Sequence, residues 1–205
     1  GALLLSATTV SVFWCAANAL YASTGTPELL WLSALETVRD VLWLAFLLRL
    51  LGFSEGGRRE LKWLAIGAWA VPLMLLIWLA VSRFAPAGLI GATAFIGGTA
   101  FGLLVLSVLG LALVEQLYRN TKREHRWGIK LLCMGIGGLC AYDLFLYSNA
   151  MIVRQIDGEI WAARGAVNAM VVPLLAVSAV RNPDWSLEIF VSRHVVFHSA
   201  TLLGT

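Results

Sequence analysis

The run LSALETVRDVLWLAF, residues 32–46, carries Glu36, Arg39 and Asp40 between long apolar stretches. Residues three or four positions apart lie on one face of a helix, so this spacing predicts a single polar face on an apolar helix. Such a face could bind a polar ligand, exchange a proton, or join neighbouring helices through ion pairs. Which of these applies depends on whether water or lipid surrounds the run.

Two further apolar runs carry polar groups that could meet this face. Asp143 and Tyr147 lie in CAYDLFLYSNAM, residues 140–151, and Asn168 lies in the next apolar run. We predict that Arg39 is shared between Glu36 and Asp143, which leaves one cation against three carboxyls. At least one carboxyl would then be protonated or partnered elsewhere. The predicted intramembrane polar cluster, a candidate sensing site, is Glu36, Arg39, Asp40, Asp143, Tyr147 and Asn168.

Outside this cluster the sequence offers little chemistry. Glu115 and Arg119 are four residues apart and are expected to form an ion pair at the membrane edge. His194 and His198 share that spacing, but no third ligand is evident, so we predict no metal site. No nucleophile elbow, zinc-protease motif or phosphate-binding loop occurs, and we assign no catalytic residue.

The composition indicates a membrane protein. Of 205 residues, 60% are hydrophobic and 13% are charged, and the mean hydropathy is +0.81. Soluble domains carry roughly 25% charged residues, because charge covers their wet surface. The apolar runs approach the roughly 20 residues that a membrane helix needs, and they are too long for membrane β-strands of about 10 residues. The fold class is therefore predicted to be all-α, a polytopic helical bundle.

Turn residues and charges divide the chain into about six spans and the start of a seventh near residue 186. The spans are predicted at 1–23, 28–53, 63–82, 89–118, 130–153 and 161–180. The chain begins and ends inside apolar runs, so we expect residues 1–205 to be a membrane domain truncated at both ends. GxxxG spacing at Gly98 and Gly102 predicts close helix packing.

Lysine and arginine residues orient the bundle. Ten of them fall on the second, fourth and sixth connections and three on the alternate connections, where Arg164 is counted as an outer-loop residue. This places the 118–130 connection in the cytoplasm. On a rise of 1.5 Å per residue, Glu36 lies roughly 12 Å and Asp143 roughly 15 Å from the outer end of its helix. The positive residues thus orient helices, and no nucleic-acid partner is expected.

Several stretches are distinctive in their amino-acid sequence as well as in their hydropathy. They are LETVRDVLWLAFLLRLLG (35–52), VEQLYRNT (114–121), RWGIKLLCMGIGGLCAYDLFLYSNAM (126–151) and WAARGAVNAMVVPLLAVSAVRNPDWSLEIFVSRHVVFHSATLLG (161–204). With these stretches the chain resembles the membrane-embedded N-terminal region of the PrsK sensor histidine kinases. That family is associated with PEP-CTERM/exosortase systems of Gram-negative bacteria.

The resemblance implies an inner-membrane, multi-pass input domain of a two-component sensor. It implies a longer parent with further spans and a cytoplasmic kinase module, a cognate response regulator, and control of exopolysaccharide and PEP-CTERM genes. A homodimer in the lipid bilayer is expected, since such kinases are usually dimeric. ATP and magnesium would bind only the kinase module, so no cofactor is expected in residues 1–205. None of His125, His194 and His198 is assigned a phosphoryl role.

Two other functions stay open on the residues alone. A secondary transporter or channel could line a path with the polar cluster, although no inverted repeat or pair of broken helices is evident. A passive anchor would use the cluster only to fix helix packing. An intramembrane ionisable residue favours a functional site, and polar groups that hold helices together favour a structural one.

Overall fold

The computed structural model describes residues 2–24, 26, 28–52, 59–84 (backbone alone for 59–61), 86, 90–121, 123 and 126–182. Six helices account for nearly all of these residues. They are α1 (Ala2–Thr24), α2 (Leu29–Leu50), α3 (Arg59–Phe84), α4 (Ala92–Asn120), α5 (Arg126–Val153) and α6 (Gly158–Arg181). The predicted all-α bundle is confirmed, and each helix overlaps one predicted span. The predicted seventh span, with Pro183, His194 and His198, lies outside the described residues.

Five of the helices are long and apolar enough to cross a membrane. The exception is α2, because its charged residues at 36, 39 and 40 fall within every stretch of 18 residues along it. Yet α2 is also the helix with many of the deeply buried side chains, including Leu47 and Phe46. Glu36 and Arg39 are buried with them, so these charges are directed into the bundle and not toward lipid. The chain is a multi-pass membrane protein in its architecture, with α2 enclosed by more apolar helices.

Local sequence signals set several helix ends. The Asp157 carboxylate accepts hydrogen bonds from the backbone N–H groups of Glu159, at 2.8 Å, and Ile160, at 3.2 Å, and so caps the start of α6. After α2, Gly52 adopts a φ of 63°, a left-handed conformation that glycine tolerates without a steric cost. Pro72 and Pro173 lie inside α3 and α6, which continue across them.

Helices that are adjacent along the chain pack against each other, and α2 also packs against α4. The closely packed pairs are α1 with α2, α2 with α3 and α4, α3 with α4, α4 with α5, and α5 with α6. A methyl group added at Gly98 would lie 2.7 Å from the Trp78 ring, and one at Gly102 would lie 2.7 Å from Leu75. The predicted GxxxG face therefore packs against α3. At Gly110 an added methyl would lie 2.5 Å from Cys140 Sγ, which shows how closely α4 approaches α5.

Candidate functional site: a buried ion-pair network

Three side chains of α2 enter the bundle from one face. Glu36 is fully buried and Arg39 is 3% exposed, while the side chain of Asp40 keeps 18% of its exposure. At 1.5 Å per residue the three lie about 10 to 17 Å along α2 from its first residue, which is well inside a hydrocarbon core about 30 Å thick. A charge at such a depth costs roughly 2.5–3.5 kcal/mol on insertion scales unless it finds partners. The surrounding helices supply those partners.

Arg39 joins α2 to α5. Its Nη2 lies 3.0 Å from Asp143 Oδ2 and 2.9 Å from Asp40 Oδ1, and 3.9 Å from Glu36 Oε1. Its Nε also donates to Asp40 Oδ1 at 3.0 Å. The pairing predicted from the sequence, with Arg39 between Glu36 and Asp143, is present. Arg39 has a third carboxylate partner, Asp40, which is its own neighbour along the helix.

A second arginine completes the site, contrary to the expectation of a single cation. Arg164 was counted as an outer-loop residue, but it lies almost two turns inside α6 and is 2% exposed. Its Nη1 donates to Glu36 Oε2 at 3.0 Å, and its Nη2 donates to Asp143 Oδ1 at 3.0 Å. Nη2 also pairs with Glu36 Oε1. The expectation of one cation against three carboxyls was therefore wrong, because two arginines face them.

The helix α5 contributes one acceptor and one donor. Asp143 is 9% exposed, and each of its carboxylate oxygens pairs with a different arginine. Tyr147, one turn further along, is buried and donates its hydroxyl proton to Glu36 Oε1. Glu36 thus receives hydrogen bonds from two helices. We call the set Glu36, Arg39, Asp40, Asp143, Tyr147 and Arg164 the ion-pair network.

A tryptophan from α1 packs against the two arginines of the network. The Arg39 guanidinium carbon lies 4.2 Å from the Trp14 ring centroid, and that of Arg164 lies 4.6 Å from it. Trp14 is 1% exposed. Arg164 also lies 4.7 Å from the Trp161 ring. Cations over aromatic faces are attracted by the ring quadrupole, more strongly where water is excluded. Four helices therefore meet at the two guanidinium groups.

The network carries an unbalanced charge. Two arginines against three ionised carboxylates leave one net negative charge. Both oxygens of Glu36 and both of Asp143 pair with arginine or tyrosine. Asp40 differs, because its Oδ1 accepts both bonds from Arg39 and its Oδ2 has no donor within the described part of the chain. The least satisfied carboxylate oxygen is thus on Asp40.

A cavity of about 30 Å³ adjoins Asp40. Its polar lining comes from Arg39, Asp40, Asp143 and the hydroxyl of Ser107 on α4, and Cys140 and Leu106 add to its wall. A cavity needs about 10–15 Å³ measured in this way to hold one water molecule, which must also find polar partners. The cavity is large enough for about two waters, and its lining supplies such partners.

The remaining predicted residues lie elsewhere. Asn168 donates its side-chain amide to the Arg164 carbonyl oxygen at 2.8 Å, so it bonds to the backbone of its own helix. Arg119 Nη1 lies 3.0 Å from Glu115 Oε1 near the C-terminal end of α4, with both side chains more than 60% exposed, so the predicted ion pair is present. Across the described residues, no group of three or more His, Cys, Asp or Glu could hold a metal ion.

Arg164 and Trp14 are the site residues that the sequence analysis missed. For Arg164 a signal was present: Asp157 is an N-cap residue, so α6 begins at 158 and Arg164 lies on its second turn. For Trp14 the sequence carried no distinguishing signal, because an indole in an apolar helix is usual. Its position next to two guanidinium groups depends on how α1 packs.

Comparison with known proteins gives no relative for this arrangement. No protein-family model, curated protein or solved structure matches the chain.

Proposed function

We propose that this bundle is the membrane-embedded input domain of a bacterial sensor histidine kinase, located in the inner membrane. The proposal includes a cytoplasmic kinase module that binds ATP and magnesium, a cognate response regulator, and control of exopolysaccharide and PEP-CTERM genes. The likeness to PrsK sensor kinases in the stretches quoted above supports this part. It also supports a homodimeric assembly.

The observation that carries the sensing part is the ion-pair network. It joins α2, α5 and α6 through arginines at 3.0 Å from carboxylates, and Trp14 adds α1 through its contacts with both arginines. The backbones of α2 and α5 are not among the closely packed pairs of described helices. Contacts between long charged side chains therefore fix much of the position of α2 relative to α5. That position depends on the charges of these side chains.

A change in the charge of this network can favour one arrangement of the helices over another. A stimulus that adds or removes one charge changes which ion pairs are favourable. Besides Arg164, α6 has only two buried residues, Val171 and Ser178, to hold it in place. Two arrangements that differ by a few kcal/mol change their populations when a ligand or proton prefers one of them. The position of α6 would carry that preference toward the cytoplasmic side, where its C-terminal end lies in the proposed orientation.

Autophosphorylation of the full-length protein in lipid nanodiscs tests the proposal. We expect labelled ATP to phosphorylate the wild-type protein, and Glu36→Gln to change the basal rate several-fold because it removes one network charge. Glu115→Gln, which alters the exposed pair at the inner end of α4, is the matched control and should leave the rate unchanged. Absence of phosphorylation, or of a kinase module encoded after Thr205, would overturn the kinase assignment.

The same experiment separates the other two functions. A passive anchor predicts phosphorylation that is equal in wild type and Glu36→Gln at equal folded yield. A transporter or channel requires a path for its solute, whereas the cavity beside the network measures about 30 Å³ and holds only water-sized molecules. This volume favours a sensing site over a solute path.

A further inference from the structure

We propose that Asp40 is the proton-binding site of the ion-pair network and that water in the adjoining cavity exchanges the proton. The proposal uses the same network as the proposed function, but it does not depend on a kinase output. It assigns the network a ligand, the proton, at one oxygen atom, Asp40 Oδ2.

The charge balance is the first argument. Two guanidinium groups and three carboxylates leave one uncompensated negative charge inside the bundle, where a single charge is costly. One bound proton removes it. Because Arg164 and Arg39 already bind both oxygens of Asp143, and Arg164 and Tyr147 occupy Glu36, protonation of either residue would weaken an existing bond. A proton on Asp40 Oδ2 displaces no hydrogen-bond donor, because both bonds from Arg39 are accepted by Oδ1.

Asp40 is also more accessible to water than Glu36. Glu36 is fully buried, whereas the Asp40 side chain retains 18% of its exposure. Asp40 also lines the cavity of about 30 Å³, which is large enough for about two waters. Ser107 donates its hydroxyl proton to the Leu103 carbonyl oxygen at 2.9 Å, so its lone pairs stay free to accept a hydrogen bond from water at the cavity wall.

The neighbours of Asp40 define what else could titrate. On α2 these are Glu36 and Arg39, and on α5 they are Asp143 and Cys140. From α6, Arg164 reaches Glu36 and Asp143, and α1 brings Cys15 near both arginines. The cavity lining from α4 has no ionisable group, and among the described residues α3 contributes nothing to the lining.

The step itself is a simple proton transfer. A hydronium ion in the cavity gives its proton to Asp40 Oδ2, which becomes a neutral carboxylic acid, and a water molecule remains. Arg39 then faces one neutral and one charged aspartate, and its pairing shifts toward Asp143. The acid O–H can donate to cavity water, and loss of the proton to that water restores the carboxylate.

Infrared difference spectroscopy of the purified chain in nanodiscs, between neutral and acidic pH, tests the site. We expect one carboxylic-acid carbonyl band, sensitive to H/D exchange, with uptake of one proton per chain in the network. Asp40→Asn should abolish that band, and Glu115→Gln should retain it. Persistence of the band in Asp40→Asn, or absence of a band in the wild type, would overturn the proposal.

Isotope labelling still tests whether the proton is on an aspartate if Asp40→Asn does not fold. Carbon-13 at the aspartate carboxyl of the wild-type chain should shift the band to lower frequency, and the same label at glutamate should not. A band that shifts only with labelled glutamate overturns the assignment. If the band behaves as expected but Asp40→Asn autophosphorylates at the wild-type rate, the proton site stands and the sensing proposal fails. If Asp40→Asn changes the autophosphorylation rate but the wild type shows no band, the sensing proposal stands and the proton site fails.

Discussion

Removal of Arg164 should be one of the most destabilising single changes in the bundle. In Arg164→Leu, Glu36 keeps Tyr147 and a 3.9 Å contact with Arg39, and Asp143 loses the partner of its Oδ1. The network charge changes from one to two net negatives. Breaking a buried ion pair by removing one partner costs about 3–5 kcal/mol, because the remaining charge stays desolvated.

This cost exceeds the other free-energy contributions that the substitution removes. A polar side-chain contact between membrane helices contributes only about 0.6 kcal/mol on average. Loss of the cation–π contacts with Trp14 and Trp161 adds about 0.5–2 kcal/mol. The uncompensated carboxylates therefore dominate, and with the cation–π contacts we expect a total loss of about 3.5–7 kcal/mol. Arg164→Lys keeps the charge but not the paired N–H geometry, so its stability should lie between that of Arg164→Leu and that of the wild type.

Unfolding by sodium dodecyl sulfate in mixed micelles, followed by circular dichroism, measures this loss. Glu36→Gln supplies the double-mutant cycle: the double variant Arg164→Leu/Glu36→Gln should be more stable than the sum of the single losses predicts, by about 2 kcal/mol, because no charged glutamate remains unpaired. Arg119→Leu, in the exposed pair, is the control and should change stability little. An Arg164→Leu loss no larger than that of Arg119→Leu would refute the reasoning.

Three further changes can be measured in the same unfolding assay. Tyr147→Phe removes a buried donor to the Glu36 carboxylate and should cost about 1.5–3 kcal/mol, and an unchanged midpoint would count against that hydrogen bond. Asp157→Ala removes the cap of α6 and should cost about 1 kcal/mol, while Asp157→Asn should retain most of the stability. Gly110→Ala places a methyl 2.5 Å from Cys140 Sγ and should cost about 1–3 kcal/mol. Adding Cys140→Ala to Gly110→Ala should recover much of that loss, and failure to recover would place the clash elsewhere.

The helices and the polar face of α2 could be predicted because both depend on local sequence. Hydropathy over about 20 residues marks a span regardless of what packs around it. The spacing of Glu36, Arg39 and Asp40 puts them on one face of any helix. A buried arginine beside a surplus of carboxylates is strongly constrained in lipid, so the Arg39–Asp143 pairing also followed from charge and depth.

The contacts that could not be predicted depend on side-chain positions that local sequence does not encode. Arg164 lies close to a helix start, where an arginine can reach toward the interface or turn inward, and only the packing of α6 against α5 directs it inward. Asn168 had the depth of the cluster but bonds to its own backbone, a local choice that competes with partners on other helices.

The sequence by itself determined that the chain is a bundle of apolar helices with ionisable groups at similar depths, because hydropathy and helical spacing are properties of short segments. Only the tertiary structure decided which groups meet: that Arg164 joins Glu36 and Asp143, that Trp14 lies against both arginines, and that Asp40 lines a cavity. Those contacts join helices far apart in the chain, and their formation depends on the rotation of each helix about its axis, which many side chains set together.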